Sequence, residues 1–149
     1  MEQKIAIRKA EARDLDTVYG FICHLEETRF SFESFEAIYL NNIENPEYVY
    51  LVAINDSDEA IGFLSCHGQK LLHHAGVVYE IQELYVSRNN RGSGIGKALI
   101  ASLEENLDKT RFQSLEVSAN AKRTDAKKFY LKMGFEPTHI KLVKGSVLK

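Results

Sequence analysis

Apolar and polar residues alternate from the start of the chain: Ile5 and Ile7 are separated by Ala6 and flanked by Lys4 and Arg8, the period of a strand. The period then lengthens. Leu15, Val18, Tyr19, Ile22 and Leu25 recur at helical spacing behind Asp14, a residue suited to an N-cap. Phe32, Phe35, Ile38, Tyr39 and Ile43 repeat that pattern over residues 31–43. Residues 48–54 form an unbroken strand-like run, Asn55-Asp56-Ser57-Asp58-Glu59 predicts a turn, and residues 60–66 return as an antiparallel partner. After an ambiguous stretch at 69–75, strand character resumes from Val77 to Val86. A helix with Leu99, Leu103 and Leu107 on one face follows, then a short strand at 113–118. A helix from Lys122 to Met133, stopped by Gly134, and a closing strand over 135–143 complete the pattern. The predicted order is β-α-α-β-β-β-α-β-α-β. It implies an α+β fold in one domain over residues 1–149, with a mixed, mostly antiparallel sheet flanked by helices.

The junction between the strand ending at Val86 and the helix carrying Leu99 holds the most informative residues. Arg91-Gly92-Ser93-Gly94-Ile95-Gly96-Lys97 places three glycines at alternate positions just before a helix. Such a turn presents free backbone N–H groups at the positive end of a helix dipole, which suits a phosphate. Spacing excludes two familiar phosphate loops. A P-loop would need glycine at 91 and serine or threonine at 98, where the chain has Arg91 and Ala98. A dinucleotide fingerprint would need glycine where Lys97 stands. What remains is R-x-x-G-x-G, with the bland alternative of a merely tight connection.

Composition narrows the partners. The net charge of −2 argues against a nucleic-acid-binding domain, and no run of 18 apolar residues suits a membrane span. The leading Met1-Glu2-Gln3-Lys4 lacks a signal-peptide core, so a cytoplasmic protein is expected. Cys23 and Cys66 form no C-x-x-C and are expected to be free thiols. His73 and His74 are neighbours, which point to opposite sides of a regular strand. No metal site is therefore expected, and pocket lining or plain surface is the better reading.

A second segment, Ala126-Lys127-Lys128-Phe129-Tyr130-Leu131-Lys132-Met133-Gly134-Phe135, lies about 30 residues beyond the glycine turn. With R-x-x-G-x-G upstream it resembles the GNAT superfamily of acetyl-CoA-dependent N-acetyltransferases, over nearly the whole chain. Val18-Tyr19, Ile22-Cys23, Leu25, His73-His74, Glu80-Ile81-Gln82-Glu83-Leu84, Ser118, Asn120, Lys122-Arg123, Asp125-Ala126 and Phe129-Tyr130 look like the aminoalkylphosphonate N-acetyltransferases.

The resemblance implies acetyl-CoA as cosubstrate, a small primary amine as acceptor and, as is common in the family, a homodimer. Gly92, Ser93, Gly94, Ile95 and Gly96 would offer N–H groups to the CoA pyrophosphate, flanked by Arg91 and Lys97. Leu84, Tyr85 and Val86 belong to the strand that the family splays from its neighbour to receive the acetyl carbonyl and pantetheine arm. Tyr130 matches the tyrosine often placed beside the CoA sulfur as general acid. The family often has asparagine where this chain has Arg123, so Asn120 and Ala126 enter as further cofactor candidates.

An alkylamine, with a pKa of about 10, must lose a proton before it can attack a thioester. Glu80, flanked by Tyr79 and Ile81, is the preferred base and Glu83 its competitor. Strict alternation puts the two on opposite faces unless a bulge intervenes. His73, His74 and Arg123 are the acceptor-site candidates, Arg123 for an anionic head. The alternatives are a polyamine, amino sugar or protein N-terminus as acceptor, or a non-catalytic acetyl-CoA sensor. Glu26, Glu27, Glu33 and Glu36 keep a polyamine open.

Overall fold

The hairpin read from residues 48–66 is the centre of a five-stranded sheet in the computed structural model, which describes residues 4–107, 110 and 112–146. The strands are β1 (Ala6–Lys9), β2 (Tyr48–Ile54), β3 (Ala60–Leu71), β4 (Gly76–Val86) and β5 (Ser114–Val117), and they lie in that order. Every neighbouring pair is antiparallel except β4 with β5, which is parallel. That exception follows from the connection: β4 and β5 are joined through a helix, as parallel neighbours require. The helices are α1 (Leu15–Glu26), α2 (Phe32–Ile43), α3 (Ile95–Leu107) and α4 (Thr124–Lys132).

Two apolar layers sandwich the sheet. Leu51, Ala53, Leu64, Cys66, Tyr79 and Ile81 pack with Ile95, Leu99, Ile100, Leu103 and Leu107 of α3, and Phe129, Tyr130, Met133 and Phe135 close the margin. Val52, Ile54 and Phe63 pack on the other face with Leu15, Val18, Ile22 and Tyr39 of α1 and α2. Residues 51–54 are all buried, which explains why β2 reads as a continuous apolar run rather than an alternation. Burial also pushes the Cys66 thiol up to about 12, and both cysteines are free. No helix among the described residues is long and apolar enough to cross a membrane. Met1, Glu2 and Gln3 lie outside the described residues.

Two local expectations change. Asp14 precedes α1 but caps nothing there with its side chain; its carboxylate instead accepts the Glu11 N–H (2.8 Å) and two bonds from the Arg8 guanidinium (2.8 and 2.9 Å). Ser31 takes the capping role at α2, accepting the Ser34 N–H at 3.3 Å. The strand expected over 135–143 does not form: residues 136–146 lie outside the sheet, and Ile140, Leu142 and Val143 are exposed. Alternation is a local signal, whereas a strand needs a hydrogen-bonding neighbour, and among the described residues no strand pairs with this segment.

Candidate active site

β4 leads through a short turn at Arg88–Asn90 into the glycine segment, then α3. Gly92 and Gly94 adopt φ of +82° and +83°, a region that favours glycine. The first helical bond runs from the Ala98 N–H to Gly94 O (3.0 Å). The N–H groups of Gly92, Ser93, Gly94, Ile95, Gly96 and Lys97 have no partner among the described residues. A Cβ placed on Gly92 or Gly94 would meet nothing within 4 Å, so the concave side is open to a ligand. This cradle fits a pyrophosphate. Gly96 differs: a Cβ there would lie 3.3 Å from the Phe129 ring, so its missing side chain lets α4 close onto α3. Arg91 folds back, its Nε donating to Val86 O (3.0 Å) and its guanidinium 5.5 Å from the Tyr85 ring centroid, while Lys97 is exposed. A Gly94→Val variant is expected to raise KM for acetyl-CoA about tenfold or more through backbone strain alone, with its melting temperature as control.

Beside this cradle the sheet opens. β4 pairs with β5 only from Val78↔Ser114 to Ile81↔Val117, and beyond Ile81 the two strands part. Hydrogen-bonded positions alternate along an antiparallel pair. The Ser87 N–H bonds Ile61 O (2.9 Å), so Ser87, Tyr85 and Glu83 direct their backbone at β3, and Leu84 and Val86 direct theirs into the gap. The Val86 carbonyl is held by Arg91; the Leu84 groups and the Val86 N–H remain for a ligand. Tyr85 is not brought to the gap. Its backbone faces β3, its ring lies 4.9 Å from that of Phe21, and its hydroxyl is 3.3 Å from His24 Nδ1 of α1.

A β-bulge decides the carboxylates. Ser65 pairs with Glu83 and Cys66 with Ile81, leaving Gln82 as the extra residue. Tyr79 and Ile81 therefore face α3 before the bulge, and Leu84 and Val86 face it afterwards. Glu80 and Glu83 share the opposite face, opposite His67 and Ser65. Glu83 lies deeper. Its N–H donates to Ser65 Oγ at 3.0 Å, and Ser65 Oγ donates a short bond to Glu83 Oε1; Ser65 is fully buried. Burial pushes the Glu83 carboxyl above the usual glutamate value, the Ser65 hydrogen bond opposes this, and the nearby Glu26 carboxylate of α1 adds to it. Glu80 is more open, with Gln82 Nε2 at 3.2 Å and Ser118 Oγ at 3.3 Å. A polar chain continues from its face: His67 Nε2 is 2.9 Å from the Tyr50 hydroxyl, which accepts from Asn42 Nδ2 at 2.8 Å. Burial holds the His67 imidazole below its usual pKa, against the pull of Glu80.

Tyr130 stands across the gap, on the α3–α4 face, with edge-on rings of Phe129 and Phe135 at 5.3 and 5.7 Å. Burial pushes its hydroxyl up, opposed by Arg123. Arg123 crosses from the loop after β5 to α1, where its Nη2 donates to Leu25 O. Asn120 shapes that loop, its side chain accepting the Lys122 N–H (2.9 Å) and its carbonyl the Arg123 N–H (2.8 Å); Ala126 is half-buried in the first turn of α4. His73 and His74 are not brought here. They occupy the β3–β4 turn, eight and nine residues before the bulge residue Gln82, roughly 26 Å or more along the strand. Sequence reasoning missed Ser65, His67 and Tyr50, and named Glu26 only among four carboxylates that keep a polyamine open. Only a serine and a histidine amid the apolar residues of β3 signalled the first two.

Comparison with known proteins agrees with this arrangement. The acetyltransferase (GNAT) family model matches residues 11–135. The aminoalkylphosphonate N-acetyltransferase of Salmonella typhimurium is 36% identical over 139 residues, covering 93% of this chain and 90% of the relative. The peptidyl-lysine N-acetyltransferase YjaB of the same organism is 34% identical over 93 residues, 62% of this chain and 54% of the relative. Among solved structures, the aminoglycoside N-acetyltransferase AAC(6')-Iy in complex with CoA superposes with a TM-score of 0.86 at 17% identity, covering 99% of this chain and 97% of the other, which supports the fold. Helix-start cradle, parted strands and these matches converge: the chain belongs to the GNAT family of acetyltransferases and is an N-acetyltransferase with acetyl-CoA as its donor.

Proposed function

We propose that the protein acetylates the primary amine of a small aminoalkylphosphonate by direct attack on acetyl-CoA, with Glu83 as the base or the end of its water relay. The half-buried, same-face placement of Glu83 at the parted strands carries this reading. A carboxyl whose pKa is raised toward neutrality accepts a proton better than an ordinary surface glutamate. Leu84 and Val86 supply backbone groups to the acetyl and pantetheine end, and residues 92–97 hold the pyrophosphate. Tyr130, on the opposite face, keeps its proton at neutral pH and donates it to the departing sulfur. Two faces of one gap thus separate acceptor and donor.

Arg123 supplies the anion partner. It stands where the loop after β5 meets the end of α1, with one N–H on Leu25 O and its other donors available. The similarity to the aminoalkylphosphonate enzyme supports the same acceptor class. A second reading, a cationic acceptor such as a lysine side chain or a polyamine, draws on the carboxylates Glu26, Glu80 and Glu83 around one opening. Thiol release from acetyl-CoA against a panel of aminoalkylphosphonates, polyamines, amino sugars and lysine peptides tests both. A preference for polyamines or peptides would overturn the phosphonate reading. Tyr130→Phe is expected to lower kcat about 10–100-fold with KM for acetyl-CoA little changed. An unchanged kcat would remove Tyr130 from the chemistry.

A further inference from the structure

Past Glu83, the acceptor face of the sheet sets a fixed hydrogen-bond donor beside a carboxylate. His67 and Glu80 are register partners on neighbouring strands, which brings their side chains together. His67 lies flat on Tyr48, with ring centroids 3.8 Å apart and planes 8° from parallel. Its Nε2 is 2.9 Å from the Tyr50 hydroxyl, whose oxygen already accepts from Asn42 Nδ2. Burial pushes the Tyr50 phenol up to about 12, so it keeps its proton, and that proton has Nε2 as its acceptor. Burial also holds the imidazole below its usual pKa, so His67 is neutral and its own hydrogen sits on Nδ1. Nδ1 has no partner among the described residues, where Arg8 Nε is the only buried side-chain nitrogen or oxygen left bare; Nδ1–H is therefore open to a ligand. The Glu80 carboxylate offers acceptors next to it. Oε1 takes a bond from Gln82 Nε2 (3.2 Å) and Oε2 one from Ser118 Oγ (3.3 Å), which leaves lone pairs on both.

Charge and hydrogen count sort what fits between them. An ammonium suits Glu80 but turns its own hydrogens on Nδ1–H. An anion accepts from Nδ1–H but meets the Glu80 charge. A hydroxyl satisfies both, accepting from His67 and donating to Glu80. His67 is two residues from Ser65 on one face of β3, roughly 7 Å along the strand, and Ser65 holds Glu83. A short carbon chain spans that distance from an amine at Glu83. We propose that His67 and Glu80 form a subsite for a hydroxyl on the acceptor, so that the preferred substrate is a hydroxylated short-chain amine; this rests on the reading of a small primary amine attacking beside Glu83. An acceptor without that hydroxyl covers Nδ1–H and Glu80 while leaving both unpaired, which costs about 10–100-fold in kcat/KM.

Matched acceptors test this by thiol release from acetyl-CoA: a short aminoalkylphosphonate, its hydroxylated form, and the form with a second amino group in place of the hydroxyl. The hydroxylated acceptor is expected to exceed both others in kcat/KM, the plain one by about 10–100-fold. His67→Phe keeps a flat ring on Tyr48 but removes both nitrogens, and should bring the ratio of hydroxylated to plain acceptor to about one. Tyr50→Phe releases Nε2, and with it the fixed hydrogen position, and should lower the ratio less. Each ratio is taken within one variant, so loss of folded enzyme cancels. In 15N spectra of the wild-type imidazole, Nδ1 should carry the hydrogen and shift when the hydroxylated amine is added; Tyr50→Phe should mix the two tautomers. A wild-type ratio near one, a preference for the amino-substituted acceptor, a ratio that His67→Phe leaves unchanged, or a hydrogen on Nε2 overturns the proposal. If no amine is turned over, the small-amine reading fails, and the His67 signal still decides the subsite: no shift with the hydroxylated amine overturns it.

Discussion

Glu83→Gln is expected to lower kcat about 10²–10⁴-fold while leaving KM for acetyl-CoA nearly unchanged. The loss follows from removing the group that accepts the amine proton; the donor cradle at residues 92–97 is untouched. The sign of the pH dependence is also set. Only ionised Glu83 accepts a proton, so kcat/KM of the wild type should rise with pH through the Glu83 pKa, which burial places above the usual glutamate value. In Glu83→Gln this limb should vanish. Glutamine still accepts the Ser65 hydroxyl, and a carboxylate whose pKa is raised on folding does not stabilise the fold at neutral pH, so the melting temperature should hold. Glu80→Gln, at the open end of the same face, should keep the limb and lose less rate. If Glu80→Gln abolishes the limb and Glu83→Gln does not, the two roles are exchanged.

Asp14→Ala is expected to destabilise the protein by about 3 kcal/mol, a fall of about 6–12 °C in melting temperature. Asp14 is nearly buried, with 8% of its side chain exposed, and Arg8, at 25%, reaches it with two hydrogen bonds. The Arg8 Nε is already buried without a partner, so losing Asp14 strands the guanidinium further. The Glu11 N–H would lose its acceptor as well. Burial by itself would raise the Asp14 carboxyl, but the bonds from Arg8 and the Glu11 N–H outweigh it and hold the pKa below the usual aspartate value. This contribution is therefore complete above the unfolded pKa of about 3.9 and is lost as pH falls through the lower folded pKa. Wild type and Asp14→Ala should differ fully at pH 7 and converge only below about pH 4. A constant difference down to pH 2 would show that the ionised carboxylate is not what matters. The corner joins β1 to α1, whose far end brings Glu26 near Glu83 and the Leu25 carbonyl to Arg123.

The elements were legible wherever their signal is local. Helical spacing located α1, α2 and α3, and the polar cluster at 55–59 located the β2–β3 turn, where Asn55 Oδ1 accepts the Ser57 and Glu59 N–H groups. The proposed donor cradle was legible for the same reason, since its residues are contiguous and its open groups are backbone N–H. Reading failed where a partner is distant. The alternation at Ile140 and Leu142 suggested a strand, but among the described residues no sheet edge receives it. His73 and His74 resembled pocket residues until the β3–β4 register put them at the far turn. Asp14 looked like a helix cap because its strongest partner, Arg8, lies on β1 and meets it only once the corner folds.

The sequence by itself determined the fold class, the glycine turn at the start of α3 and the two glutamates to consider. Tertiary structure decided which glutamate lies deeper, bonded to the buried Ser65, and that both share a face. The physical reason is parity. One extra residue, Gln82, set against the β3 ladder reverses the facing of every side chain after it, and pairing with β3 alone locates that residue.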